Sequence, residues 1–290
     1  MCGGLGNQLF QYAAAKNLSL INDRELHIDS ITGFWTDFRD FCRFDLNKKN
    51  LKQSKIKFII IIYIIYRFLN KLFKFKKLFV NLFGFTIVDE TNLNYFEKKI
   101  KNLNKFNNVY LIGYFQSEKY FIDNNKKILA ELRPAIPQNK AYHLMKNKML
   151  KSNSVSLCIR LHETMPNNIR YKVGGLTTNQ FYKKSIKKMI KNIKKPEFFI
   201  FSTQKKNIEN ILKNFPILKK YKINIITGDL GFKDAYDNIW LLSHCKNHII
   251  SNSTLYWWGA YFSTIKYKNK IICCANNFHN IDTCLNDWKI

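Results

Sequence analysis

The sequence predicts an α/β chain of two lobes, the second built on a doubly wound parallel sheet. Three observations carry that expectation. From about residue 151, short continuous apolar runs alternate with helical stretches, the pattern of buried parallel strands joined by helices. A glycine-rich turn, Gly3-Gly4-Leu5-Gly6-Asn7-Gln8, leads straight into a helical stretch at the start of the chain. A polar turn, Ser251-Asn252-Ser253-Thr254, repeats that arrangement near its end. At 290 residues the chain is long enough for two cores, and a proline break followed by a polar linker sets lobes at 1–150 and 151–290.

In the first lobe, residues 6–22 read as a helix and 25–29 as a short strand. The stretch from about 45 to 107 is rich in Lys and Phe without a clean period, which suggests a divergent helical region or insertion. Residues 109–114 form a strand followed by a polar turn and a helix. Pro134 and Pro137 then break the chain ahead of a polar helix and linker at 135–152. A glycine turn of this kind ordinarily follows a buried strand, and only two residues precede it here. The expectation is a missing first strand and a truncated or misassigned start.

The second lobe alternates more regularly. Strands are expected at 154–160, 197–202, 221–226, 248–251 and 270–273. Helices fall between them at 178–191, 208–215, 235–243 and 254–262. In such a sheet ligands bind outside the carboxyl ends of the strands, where Arg160, Ser202, Asn252 and Ser253 fall.

Bulk composition narrows the function classes. Apolar residues make up 46% and charged residues 23%, which excludes wholesale disorder. The net charge of +28 fits either a polyanion-binding surface or lysines filling every solvated face. Their scatter as pairs along helices favours the second reading. Either way the field draws in anionic substrates such as a nucleotide diphosphate.

The seven cysteines are odd in number and lack C-x-x-C spacing, and Cys273 and Cys274 are adjacent. Reduced thiols in a cytoplasmic protein fit better than a disulfide scaffold or zinc site. No signal peptide is expected, since only two residues stand before the glycine turn. The apolar run at 56–66 has 11 residues, against the roughly 20 needed to span a bilayer. Aromatics and lysines mix over 67–77, which suits a helix in a membrane interface. A buried helix or strand with a basic flank explains it equally well.

Several residue types at the expected ligand face suit phosphate chemistry. Glycines let a backbone approach a ligand closely, and the N–H groups opening a helix attract anions. Gly4, Gly6, Asn7 and Gln8 offer this in the first lobe, and Asn252, Ser253 and Thr254 in the second. The Ser and Thr hydroxyls also suit plain helix caps. Arg160 closes its strand with a planar fork that matches a diphosphate, although a structural salt bridge would use it too. Glu163 and Asp29 are rival general bases; a solvated loop carboxylate is the plainer reading of Glu163. His244 and His248 are four apart, but they straddle an expected helix-to-strand change and lack a third ligand, so no metal is expected. Trp257 and Trp258 read as core behind the polar turn.

These blocks together resemble glycosyltransferase family 11, the bacterial-type α-1,2-fucosyltransferases. The family's opening G-G-L-G-N-Q-(M/L)-F-Q-Y-A is matched from Gly3 to Ala13, and its G-Y-(W/F)-Q-S-E-K-Y-F from Gly113 to Phe121. Its L-M-S-x-C-K-x-x-I-I-(A/S)-N-S-(S/T)-F-S-W-W-G-A is matched from Leu241 to Ala260. The likeness runs from Gly3 to Ile290 around the divergent middle. Two departures stand out. The family's H-V-R-R-G-D reads Cys158-Ile159-Arg160-Leu161-His162-Glu163 here, keeping only the first arginine, and its Ser-Asp reads Ser202-Thr203.

The resemblance implies a GT-B-like fold, two Rossmann-like lobes with a ligand cleft between them. It implies inverting transfer of fucose from GDP-fucose to a galactoside hydroxyl of a surface glycan, without a metal. Arg160 would grip the diphosphate, Glu163 would take the acceptor proton, and Gly4, Gly6, Asn7, Gln8, Ser202, Asn252, Ser253 and Thr254 would surround the donor. The expected partners are GDP-fucose and a glycan acceptor, not nucleic acid. The enzyme is expected in the cytoplasm, with peripheral contact to the anionic inner face of the membrane as a further option. The altered 158–163 block leaves two alternatives: a different sugar-nucleotide donor, or an inactive basic membrane-associated remnant.

Overall fold

The computed structural model describes residues 1–34, 52–53, 56–73, 78–103, 108–161, 174–203 and 205–290. The chain divides into two compact units, Met1–Leu132 and Arg133–Ile290. The sequence reading set the division near 150, because a polar helix after two prolines looks like a linker. That helix, α4 (Lys140–Lys151), instead belongs with the second unit. Its Tyr142 is buried with its ring edge-on to Phe232 at 5.0 Å, and His143 lies 5.6 Å from the Trp240 ring.

The first unit opens with α1 (Leu5–Ile21), whose alanines and leucines favour helix and whose burial is nearly all-round. A parallel pair, β1 (His27–Ile28) and β2 (Lys52–Gln53), follows. Helix α2 (Ile56–Phe73) leads into β3 (Phe79–Leu82) and β4 (Phe85–Asp89), an antiparallel hairpin. Strand β5 (Asn108–Ile112) joins β4 in parallel, and α3 (Asn125–Leu132) closes the unit.

The stretch at 45–107, expected as a divergent helical region or insertion, is only partly helical among the described residues. Its described part holds the short β2, the long helix α2, the β3–β4 hairpin and a 3-10 turn at Lys98–Lys101. The turn of that hairpin is Phe83-Gly84, both at positive φ, and a single glycine among aromatics gave too weak a turn signal in sequence. The core of the unit gathers Ala14 and Leu18 of α1 with Val88, Ile100, Phe115 and Tyr120.

The second unit carries five parallel strands: β6 (Asn153–Cys158), β7 (Pro196–Phe201), β8 (Ile223–Ile226), β9 (Asn247–Ile250) and β10 (Ile272–Cys274). Between them run α5 (Asn179–Asn192), α6 (Lys205–Leu212), α7 (Ala235–Leu242) and α8 (Thr254–Lys266). Spatial order is β8-β7-β6-β9-β10, which numbered within the unit reads 3-2-1-4-5. This is the doubly wound order of dinucleotide-binding sheets, reversing direction between β6 and β9.

Alternation along β6 sorts its side chains. Val155, Leu157 and Ile159 enter the core that also holds Tyr182, Ile186 and Met189 of α5, while Ser156 and Cys158 take the other face. Helix α8 packs on α7 at Gly259, where an added Cβ would lie 2.5 Å from the Leu242 Cβ. Gly259→Ala is expected to push the two helices apart and destabilise the unit by about 1–3 kcal/mol, read from the urea midpoint. Trp257 and Trp258 are fully buried, as expected, and the Trp257 indole N–H donates to the Thr283 carbonyl at 2.8 Å.

Candidate active site

In the first unit the sequence's first two blocks fold into one structure. Gly3 has φ +71, a conformation glycine adopts at little cost, and an added Cβ would lie 2.9 Å from the Asn7 amide and 3.2 Å from the Tyr114 ring. Gln8 reaches back so that its Nε2 donates to the Gly3 carbonyl at 2.8 Å. The Gln11 side chain brackets Cys2, accepting from its N–H at 2.9 Å and donating to its carbonyl at 3.1 Å. Asn7 accepts from the Gln116 amide at 2.9 Å, which joins the glycine turn to the segment after β5.

The Glu90 carboxylate accepts from the Tyr114 and Phe115 N–H groups at 3.1 and 3.0 Å and so holds that segment. Gly4 caps α1 with no side-chain hydrogen bond, and no acidic residue stands in the first turn. Of the residues singled out in sequence, Gly4, Gly6, Asn7 and Gln8 thus cluster at one helix start. Gln8 is buried and spends its amide on the turn itself.

Asp29 is occupied. Its Oδ1 accepts from the Ile31 and Thr32 N–H groups at 2.9 and 3.0 Å, while Tyr110 donates to Oδ2 at 2.7 Å and the Thr32 hydroxyl also donates there. Burial pushes this carboxyl up, but the hydrogen bonds outweigh it and hold the pKa below the ordinary value. A carboxylate so satisfied is a weak base. Its geometry is that of a turn residue.

The second unit brings Arg160, Ser202 and Ser251–Thr254 to the carboxyl edge of the sheet. Arg160 follows β6 directly and is half-buried. Ser202 follows β7, and its buried hydroxyl has no hydrogen-bond partner among the described residues. Ser251, Asn252 and Ser253 connect β9 to α8, and Ser253 caps that helix without a side-chain bond. The order reversal lies between β6 and β9, so Arg160 and the 251–254 turn flank the crevice where such sheets bind ligands.

Asn252 acts differently from the expectation for it. Its Nδ2 donates to the carbonyls of Gly175 and Asn277 at 2.9 and 3.2 Å, and its Oδ1 accepts from Thr177 at 3.2 Å. Asn277 in turn donates to the Gly174 carbonyl at 2.9 Å. The chain entering α5 is thereby tied to the ends of β9 and β10. This clamp was not legible in sequence, since Asn277 lies in an unpatterned loop.

Tyr182 was also missed, as one aromatic among several on α5. Its hydroxyl is directed at the Cys158 carbonyl, 3.4 Å away. Burial pushes the phenol well above its ordinary pKa, offset in part by the neighbouring Ser251 and Thr177 hydroxyls. It underpins both edges of the crevice. Tyr182→Phe is expected to cost about 0.5–1.5 kcal/mol in the urea midpoint, with the ring packing kept.

His248 and His244 do not form a metal pair. His248 is fully buried, its ring nitrogens 2.8 Å from the Ser156 and Ser263 hydroxyls. His244 donates from Nδ1 to the Trp240 carbonyl, and its Nε2 accepts from Lys266 at 3.0 Å. Among the described residues no cluster of three His, Cys, Asp or Glu side chains is placed to hold a metal.

Burial lowers the His248 pKa from 6.5 to about 3 and that of His244 to about 4, so both rings stay neutral in the fold. Below pH 6.5 the unfolded chain takes up these protons and the folded one does not, so stability present above 6.5 is lost as pH falls. For His248 the loss approaches about 1.4 kcal/mol per pH unit. Urea midpoints at pH 7 and pH 5 test this; equal midpoints would contradict a neutral buried ring.

Cys158 stands where the resembling family has its histidine. Its thiol is fully buried, pushed up in pKa by burial and directed at Ser156, so it takes no part in ligand binding. The expected base Glu163 lies outside the described residues, as does His162.

The sequence profile of glycosyl transferase family 11 matches residues 1–289. The chain belongs to that family. It is a glycosyltransferase, and relatives agree: an α-1,2-colitosyltransferase of Escherichia coli is 31% identical over 90% of this chain and 85% of its own length. The O-antigen biosynthesis glycosyltransferase WbnK, also of Escherichia coli, is 30% identical over 94% of this chain and 91% of its own length. In this family 11 chain the glycine turn and the 113–121 segment meet at the start of α1, and the 241–260 block contains the start of α8.

Proposed function

We propose that this family 11 enzyme transfers L-fucose from GDP-fucose to a galactoside hydroxyl of a surface glycan, forming an α-1,2 linkage with inversion and without a metal. The observation that carries the reading is Arg160 at the reversal point of a 3-2-1-4-5 sheet, beside the 251–254 helix start and a Ser202 hydroxyl unpartnered among the described residues. As the sugar–phosphate bond breaks, negative charge gathers on the departing GDP. A guanidinium and helix-opening N–H groups held in advance favour that charge, the task a divalent cation performs elsewhere. In this reading the Gly4–Gln8 turn serves the sugar or the acceptor. A base, Glu163, takes the proton of the acceptor hydroxyl as it attacks.

A second donor is favoured by one specific observation. One relative is named as a colitosyltransferase, and this chain replaces most of the H-V-R-R-G-D block. A panel of GDP-fucose, GDP-colitose and other sugar nucleotides, read by released nucleotide with a galactoside acceptor, separates the two. Turnover with GDP-fucose above all others supports the proposal. Turnover confined to another sugar nucleotide replaces fucose but leaves the role of Arg160 standing. No turnover and no calorimetric binding of any GDP-sugar at millimolar ligand overturns the reading.

A further inference from the structure

We propose that the outer face of α2 is a docking surface for an anionic lipid bilayer. One side of this helix is covered: Ile62 and Tyr66 are 2% and 1% exposed and pack with Ile87 against Val80, Leu82, Phe85, Tyr110 and Ile112. The other side is not. Phe58, Ile61, Ile64, Phe68 and Leu72 are 52%, 52%, 46%, 61% and 58% exposed. At 3.6 residues per turn, these five positions fall on one continuous arc.

The arc extends beyond the helix. The Phe58 ring lies 6.0 Å from that of Phe85, so the β3–β4 turn sits at the start of α2, and that turn presents Phe83 at 64% exposure. Scattered exposed apolar residues are normal on a protein surface; a contiguous row of six large ones is a binding face.

Charge selects the occupant. Arg67 and Lys71 are exposed along one border of the arc, and the sequence of the helix, 56–73, contains no acidic residue. A second copy would set these cations against their own kind on a chain of net charge +28. Anionic headgroups satisfy them while the acyl region takes the Phe, Ile and Leu side chains. Among the described residues no helix is long and apolar enough to cross a membrane, so α2 would lie along the surface. The covered face of α2 fits the buried-helix reading of the apolar run, and the proposal assigns the interfacial reading to its outer face.

The test is co-sedimentation of the full chain with phosphatidylcholine vesicles, with and without phosphatidylglycerol. Binding is expected only with the anionic lipid and weakens with added salt. Phe68→Glu combined with Leu72→Glu is expected to reduce it at least tenfold, while Arg160→Ala leaves it unchanged. Both altered side chains are exposed, so an unchanged urea midpoint and unchanged turnover on a soluble acceptor report an intact fold. Independently, Phe68→Trp is expected to add blue-shifted emission on anionic vesicles. Binding that survives the double variant, or emission of the Phe68→Trp variant that vesicles leave unmoved, overturns the proposal. So does a wild-type dimer in solution that the double variant converts to monomer without vesicle binding by either.

Discussion

Arg160→Ala is expected to reduce turnover by about 10²–10³-fold, the loss of roughly 3–4 kcal/mol that follows removal of one preorganised donor from a developing anion. The guanidinium lies beyond the end of β6, half-buried, and no carboxylate among the described residues pairs with it. Its removal therefore opens no buried ion pair among the described residues, and the urea midpoint is expected to move by less than about 0.5 kcal/mol. Arg160→Lys keeps the charge but loses the planar fork, and intermediate turnover is expected. Released nucleotide measured at saturating donor separates the effect on chemistry from weaker binding. Unchanged turnover in the alanine variant would remove the central member of the proposed site.

Gly174→Ala is expected to have the second large effect, on the shape of the same crevice. Gly174 has φ +92, and a Cβ added there would lie 1.8 Å from the Asn277 carbonyl oxygen. Backbone rather than a flexible side chain blocks the space, so the 174–178 segment must lift away from Asn277 and Asn252. The strained φ alone costs about 1–3 kcal/mol, and the hydrogen bonds from Asn277 to Gly174 and from Asn252 to Gly175 would be broken in addition. The expected result is a lowered urea midpoint together with a raised KM for the sugar nucleotide. Asn277→Ala, which removes the tether without adding a clash, is expected to raise KM with a smaller loss of stability. If Gly174→Ala lowered stability yet left KM untouched, the clamp would be structural only.

The strands of the second unit were legible because all but the half-buried edge strand β8 are largely buried on both faces. Phe198, Phe199 and Ile200 form an unbroken apolar run that only a central parallel strand accommodates. The β3–β4 hairpin was not legible, since its residues share composition with the neighbouring helix and its turn lacks a strong dipeptide signal. Candidate site residues divide in the same way. Arg160 was found because a cation closing an apolar strand has few alternatives, whereas Tyr182 looked like any core aromatic until its hydroxyl was placed beside Cys158 and Ser251. Asn252 was found for the wrong task. Its amide ties three loop segments together, a role that depends on Thr177 and Asn277, 75 and 25 residues away.

By itself the sequence determined the family, the alternation of strand and helix after residue 153, and the two polar turns that open α1 and α8. Those are local properties, set by periodicity, glycine and a few contiguous blocks. Only the tertiary structure decided the strand order that puts Arg160 and the 251–254 turn at one reversal point. It also decided which face of α2 is covered and which hydrogen bonds use up Gln8, Asp29 and Asn252. Each of these depends on pairing between distant segments, and no local pattern encodes the partner.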